Sequence, residues 1–235
     1  MAKPASKPGK GTTKRKAKPA TSSKQDTPEA ARDRIIDAAM TCIARDGWRN
    51  LALADVAAEA NVRLADVLIP FPTKHALVNA FQDRIDGEML KAADDHAASG
   101  DAGGDARDRL FDLLMERLDA LTPYRAAMAE IAKDAIRDPA SVCFLPRMAR
   151  TMTRVLEAAG VRAPGPFGVL QAKGLALIYA DAFRVWLTDE SADLSKTMAA
   201  LDSGLRRAER AVRFVCRRNQ RRHGQGSPDS PPSSA

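Results

Sequence analysis

Apolar residues recur at three- and four-residue intervals along most of this chain, the period of helices that bury one face. The first such stripe is Ile35, Ala38, Ala39, Cys42 and Ile43. Thr27-Pro28-Glu29 ahead of it reads as a start signal: a capping threonine, a proline in the first helical position and an acid in the first turn. The first helix is therefore expected to run from Pro28 to about Arg45, where Gly47 stops it. A short helix follows over about Leu53 to Ala60, then Asn61 as the left-handed residue of a tight turn, then another short helix over about Leu64 to Ile69. Pro70 and Pro72 end that one, and Thr73 caps a longer helix to about His96 with Ala76, Leu77, Ala80, Phe81, Ile85 and Met89 as its stripe.

A Gly- and Ser-rich break at 99–104 separates this unit from a second helical one. The second unit starts with a helix carrying Leu110, Phe111, Leu114, Met115 and Leu118. Helices over about Tyr124 to Ile136 and Leu145 to Ala159 come next, then a loop over 160–168 containing Pro164 and Pro166. Two long helices complete it, about Val169 to Leu187 and Leu194 to Arg222. Leu201, Leu205, Ala208, Val212 and Val215 on the last helix fall at alternating steps of four and three. That is a heptad-like seam, which together with the preceding helix suits a two-fold dimer interface. The fold class expected is all-α. Its domains are a basic tail without fixed structure at 1–27, a helix-turn-helix unit at 28–98, a larger helical unit at 105–222 and a second tail at 223–235.

Charge sharpens this organisation. The net charge is +7. Residues 1–25 hold eight Lys and Arg and no acid, and residues 206–235 hold eight arginines against Glu209 and Asp229. Taking these +8 and +6 tails from the total leaves a body of −7. Such tails attract polyanions, either nucleic acid or an anionic membrane. The last helix, with Arg206, Arg213, Arg217 and Arg221 around its apolar stripe, suits a membrane surface as an alternative to a dimer seam.

Catalytic chemistry is not suggested. His75, His96 and His223 have no partners at metal-ligand spacing, no phosphate-binding glycine loop or nucleophile elbow is present, and no cofactor or metal is expected. Cys42, Cys143 and Cys216 read as reduced thiols of a cytoplasmic protein, the first two as core fillers. No secretory signal is apparent, and the most apolar stretch, Gly174 to Leu187, is broken by Asp181 and Arg184.

The segment from Arg32 to Phe81 resembles the N-terminal domain of the TetR family of transcriptional regulators. Ile35, Ala38 and Ala39 occupy its first-helix apolar slots, and Gly47-Trp48 its glycine-aromatic corner. Val56-Ala57 and Val62 flank the turn, and Phe71, Lys74 and Leu77 match its Phe-x-x-Lys-x-x-Leu signature. The resemblance implies a homodimer that binds DNA through Arg63, Leu64, Ala65, Asp66 and Leu68, with Lys74 on a phosphate. Arg63 is the one plausible reader of a base. The DNA-facing positions depart from the family pattern. Leu51 and Ala52 stand where Thr or Ser is usual, Leu68 and Pro70 stand where tyrosines are usual, and Asp66 adds a negative charge.

In the second unit the resemblance implies a cavity for a small apolar effector. Phe111, Met115, Met148, Met152, Tyr179, Phe183 and Trp186 are its candidate lining, with Tyr179 the best polar contact. The run around Ala176-Leu177-Ile178-Tyr179 and Val185-Trp186-Leu187 is also similar to lipid-binding accessory proteins of coenzyme Q biosynthesis, which share a TetR-like fold without binding DNA. That second resemblance implies an isoprenoid lipid and a partner hydroxylase.

Overall fold

The computed structural model describes residues 27–98, 104–137, 144–161 and 165–224. Most of the basic N-terminal tail, the break at 99–103, Cys143 and the final residues from 225 lie outside these, as does the side chain of Cys216. The described residues form nine α-helices and one 3-10 turn. They are α1 (Pro28–Asp46), α2 (Leu53–Glu59), α3 (Leu64–Leu68), α4 (Lys74–Ala98), α5 (Ala106–Leu121), the turn Thr122–Tyr124, α6 (Arg125–Arg137), α7 (Phe144–Ala158), α8 (Pro166–Trp186) and α9 (Ser195–Gly224).

Local signals placed the first four elements. The Thr27 hydroxyl accepts from the Ala30 N–H at 3.3 Å, and the Thr73 hydroxyl does the same for the Ala76 N–H at 3.1 Å. Each satisfies one of the donors a helix start leaves open. Gly47 has φ of 84°, which a side chain resists, and its N–H closes α1 on the Ile43 carbonyl at 2.9 Å. Asn61 takes the left-handed conformation with φ of 53°, as the turn between α2 and α3 needs. Between these signals, Ile35, Ile36, Ala39, Met40 and Ile43 of α1 are buried against Val56 and Ala57 of α2, Val67 of α3, and Phe71, Leu77 and Phe81.

The buried apolar residues continue without interruption into the second unit, through Ile85 and Met89 of α4 to Leu114 and Leu118 of α5, Met152 and Val155 of α7, and Trp186 of α8. Arg84 helps join the two. Its guanidinium reaches Asp37 of α1 at 2.6 Å and the Tyr124 hydroxyl at 2.9 Å, and Phe81 meets Tyr124 edge-on at 4.8 Å.

Two expectations change. The long helix expected from about Val169 begins at Pro166, three residues earlier, because proline fits the first helical position where no N–H bond is required. The seam on α9 is not a free face: Leu201 and Leu205 are buried within the subunit, Ala208 is half-buried, and Val212 is exposed. Within the subunit α9 packs along α8 and α5. Gly204 lies so close to Ile178 that an added Cβ would stand 2.6 Å from its Cγ2. The first half of the seam is thus taken up inside the subunit. Among the described residues, the exposed large apolar side chains of these two helices are Phe167, Val169, Leu170 and Leu177 of α8, up to 74% exposed, and Val212 and Phe214 of α9. Among the described residues, no helix is long and apolar enough to cross a membrane.

Candidate functional site

The outward face of α3 carries the expected reading positions. Val67 is fully buried and anchors the helix from behind. Leu64 and Leu68, one turn apart, are 43% and 42% exposed, and Ala65 is exposed between them. Arg63 and Asp66 are bound to each other. The Asp66 carboxylate accepts from Arg63 Nε at 2.9 Å, from Nη2 at 2.6 Å and from the Arg63 backbone N–H at 3.3 Å. The acid thus caps α3 by reaching back over its start, and the guanidinium beside it holds the Asp66 carboxyl below the usual carboxylate range.

Lys74 sits elsewhere. Its ammonium donates to the carbonyls of Trp48 and Arg49 at 3.0 and 3.2 Å and lies 4.7 Å over the Trp48 ring. Those carbonyls are left open by the corner between α1 and α2, so Lys74 fastens that corner to the start of α4. Several other cations of this unit are likewise paired internally: Arg45 with Asp46 and Glu59, Arg49 with Asp134, Arg84 with Asp33 and Asp37.

The candidate ligand residues divide into two groups. Phe111 lines an open cavity of about 300 Å³ between α5 and α9, with Arg107, Asp108, Met198, Ala199 and Asp202. Arg107 Nη2 holds Asp108 at 2.9 Å, and this bond keeps the Asp108 carboxyl below its ordinary range. Tyr179, Phe183 and Trp186 instead stack along α8, at 6.1 and 5.3 Å between successive rings, with Tyr179 and Trp186 fully buried. Met152 is fully buried, and Met115 and Met148 are half-buried against the same core. The cavity therefore brings together only Phe111 of the seven candidates. The others it adds show a weak sequence signal: Arg107 and Asp108 lie one turn before Phe111 on its side of α5, and Met198 and Asp202 are one turn apart on α9.

Sequence reasoning missed a buried polar cluster where α4, α5, α7 and α8 meet. Asp86 of α4 is 1% exposed. It accepts from Arg117 Nε of α5 at 3.1 Å, and from Thr151, Arg154 and Arg147 of α7 at 2.8, 3.2 and 3.3 Å. Arg117, also buried, donates in addition to the Tyr179 hydroxyl and, at 2.5 Å, to Gln82. Burial pushes the Tyr179 phenol above its usual range. The signal was a charged residue inside each apolar stripe, with Asp86 beside Ile85 and Arg117 beside Leu118. Among the described residues, no group of three or more His, Cys, Asp or Glu is arranged to hold a metal.

Comparison with known proteins follows the same lines. The pattern describing bacterial regulatory proteins of the tetR family matches residues 35–81. The chain is 30% identical to a TetR transcriptional regulator of Nitrosomonas europaea, covering 76% of this chain and 97% of that one with a TM-score of 0.63. A TetR transcriptional regulator of Rhodococcus sp. RHA1 is similar in fold, at 20% identity and a TM-score of 0.52 over 76% of this chain and 98% of that one. A further TetR-family protein of Rhodococcus sp. gives 22% identity and a TM-score of 0.51 over 74% and 96% of the two chains. No curated protein sequence matches the chain.

Proposed function

The chain belongs to the TetR family of bacterial transcriptional regulators, and from that premise we propose that it is a homodimer that binds operator DNA through α3 and responds to a small apolar ligand. The observation that carries this reading is α3 itself. Its back is anchored by Val67, while Arg63, Leu64, Ala65 and Leu68 stand outward. A helix held this way can enter a major groove with its first residues toward the base edges.

Three further features fit. Phe167, Val169, Leu170 and Leu177 of α8 and Val212 and Phe214 of α9 are exposed apolar side chains of the kind that a second copy would cover. A two-fold dimer presents its two α3 helices to half-sites about 34 Å apart, one helical turn of DNA. The cavity at Phe111 lies beside α9, at the low end of the volumes that small ligands occupy. Ligand binding there changes operator affinity to the extent that the ligand prefers one arrangement of the two heads. Because the head's own cations are largely paired, the eight basic residues of 1–25 supply most of the attraction to phosphates. Such a regulator works in the cytoplasm, where its DNA is.

The test is selection from a random duplex library with the full chain at ~200 mM salt, where non-specific phosphate binding weakens strongly. Enrichment of a palindrome supports the reading. Retention of unrelated sequences alone would defeat it.

A further inference from the structure

We propose that Arg63 and Asp66 form a single guanine-reading unit and that Leu64 and Leu68 seat thymine methyl groups beside it, so that each half-site is a guanine flanked by thymines. This rests on the DNA-binding reading above and names the base chemistry of that site.

A guanidinium has two edges that can donate in parallel, the side edge of Nε and Nη2 and the end edge of Nη1 and Nη2. In this chain Asp66 occupies the side edge, at 2.9 and 2.6 Å. Among the described residues no bond engages Nη1, and the Arg63 side chain is 83% exposed. The end edge therefore points outward, held by its neighbour. Guanine offers O6 and N7 as two acceptors on one edge in the major groove, the partner that this end edge fits. An arginine on a free stem has to be ordered when it binds, whereas one held by a carboxylate from the same helix has part of that cost met already. Asp66 thus acts as a positioning residue. Its charge is balanced by Arg63, and it is not simply a repulsive acid on the DNA-facing side.

The rest of the outward face cannot read bases by hydrogen bonds. Leu64, Ala65 and Leu68 have no polar side-chain atom, and Ile69 beyond them is 82% exposed. The base-edge group that apolar side chains recognise in the major groove is the thymine C5 methyl. Leu64 directly follows Arg63, and Leu68 lies one turn further along the same face. The methyl contacts accordingly fall next to the guanine.

The probe is the palindrome selected from the random library, with the full chain and equilibrium binding read by fluorescence anisotropy. Replacing the guanine by 7-deazaguanine removes N7, and replacing thymine by uracil removes only the methyl. The expected losses are about 5- to 150-fold for disrupting the bidentate guanine contact and about 4-fold for each contacted methyl. Arg63→Lys keeps the charge without the fork, so it should abolish the guanine preference while still binding DNA. Asp66→Asn still accepts the Arg63 N–H. It should lower the ratio of selected to guanine-substituted affinity at least 5-fold while leaving affinity for unrelated duplex unchanged or higher.

If the selected site is insensitive to both base analogues, or Asp66→Asn leaves the ratio intact, the proposal is overturned and the regulator reading stands. If no duplex is selected at all, the DNA-binding reading fails and takes this one with it.

Discussion

Replacing Asp86 tests whether the buried cluster holds the two units of the chain together. One carboxylate, 1% exposed, accepts from Arg117, Thr151, Arg154 and Arg147, and so connects α4 to α5 and α7. Three of those donors are themselves buried, and two of the three, Arg117 and Arg147, are charged. Removing the carboxylate leaves their charge with less compensation in a poorly solvated place, a change that costs about 3–5 kcal/mol when a buried pair is broken from one side. Typical domains are stable by about 5–15 kcal/mol, so Asp86→Ala removes a large share of the total without abolishing the fold. Asp83, on the same helix, bonds Arg147 at 2.8 Å but is 50% exposed, and Asp83→Asn should cost less than about 1 kcal/mol. Thr151→Val removes one hydrogen bond to a charged acceptor and should fall between, at about 1.5–3 kcal/mol. The assay is urea unfolding at one fixed protein concentration, since a dimer's stability depends on it. Equal losses for Asp86→Ala and Asp83→Asn, or a loss below about 1 kcal/mol for Asp86→Ala, would refute the assignment of a load to burial.

Four further outcomes follow from the geometry. Lys74→Met should lower stability by about 1–3 kcal/mol in the same assay, because it frees the Trp48 and Arg49 carbonyls; loss of DNA affinity with unchanged stability would instead place Lys74 on a phosphate. Leu177→Glu or Leu170→Glu should shift sedimentation from dimer to monomer at micromolar concentration, while Thr41→Glu, on an exposed position of α1, leaves it unchanged. Deleting residues 1–25 should flatten the dependence of DNA affinity on salt, each lost phosphate contact reducing the log–log slope by about 0.9 while the selected sequence stays the same. Asp189 accepts from Ser191 and from the Thr197 N–H and hydroxyl, which hold its carboxyl well below the ordinary range. Its contribution is present above the unfolded carboxylate value of about 3.9 and is lost as pH falls below it, so Asp189→Asn should narrow the stability difference between pH 7 and pH 3.

The head was legible because its signals are local. Thr27, Gly47, Asn61 and Thr73 each state a backbone condition within a few residues, and the structure meets each one. The fold class followed from the same reasoning applied along the chain. What depends on contacts between distant residues was less legible. The spacing of Leu201 and Leu205 showed that α9 packs, but not that these two leucines are buried within the subunit. Seven residues were candidates for cavity lining, with Tyr179 the favoured polar contact, and the packing of α5 on α9 sets Phe111 beside an opening while Tyr179, Trp186 and Met152 stay inside the core. Asp66 read as a charge against DNA because its pairing with Arg63 depends on side-chain conformation, which composition does not reveal. Asp86 and Arg117 drew no expectation from the sequence for a related reason. A charge within an apolar stripe is expensive alone, and the compensating partners lie 31 and 65 residues away in sequence.

The most direct test of the central claim is recovery of the DNA bound by the full chain in its own host, after crosslinking, with the bound sequences read genome-wide. The account predicts a small set of sites, each with two half-sites of opposite orientation spaced about one helical turn apart, and loss of those sites in an Arg63→Ala chain. Uniform recovery of genomic DNA, unchanged by Arg63→Ala and lost on deleting residues 1–25, would contradict it and reduce the nucleic-acid affinity to that of a basic tail.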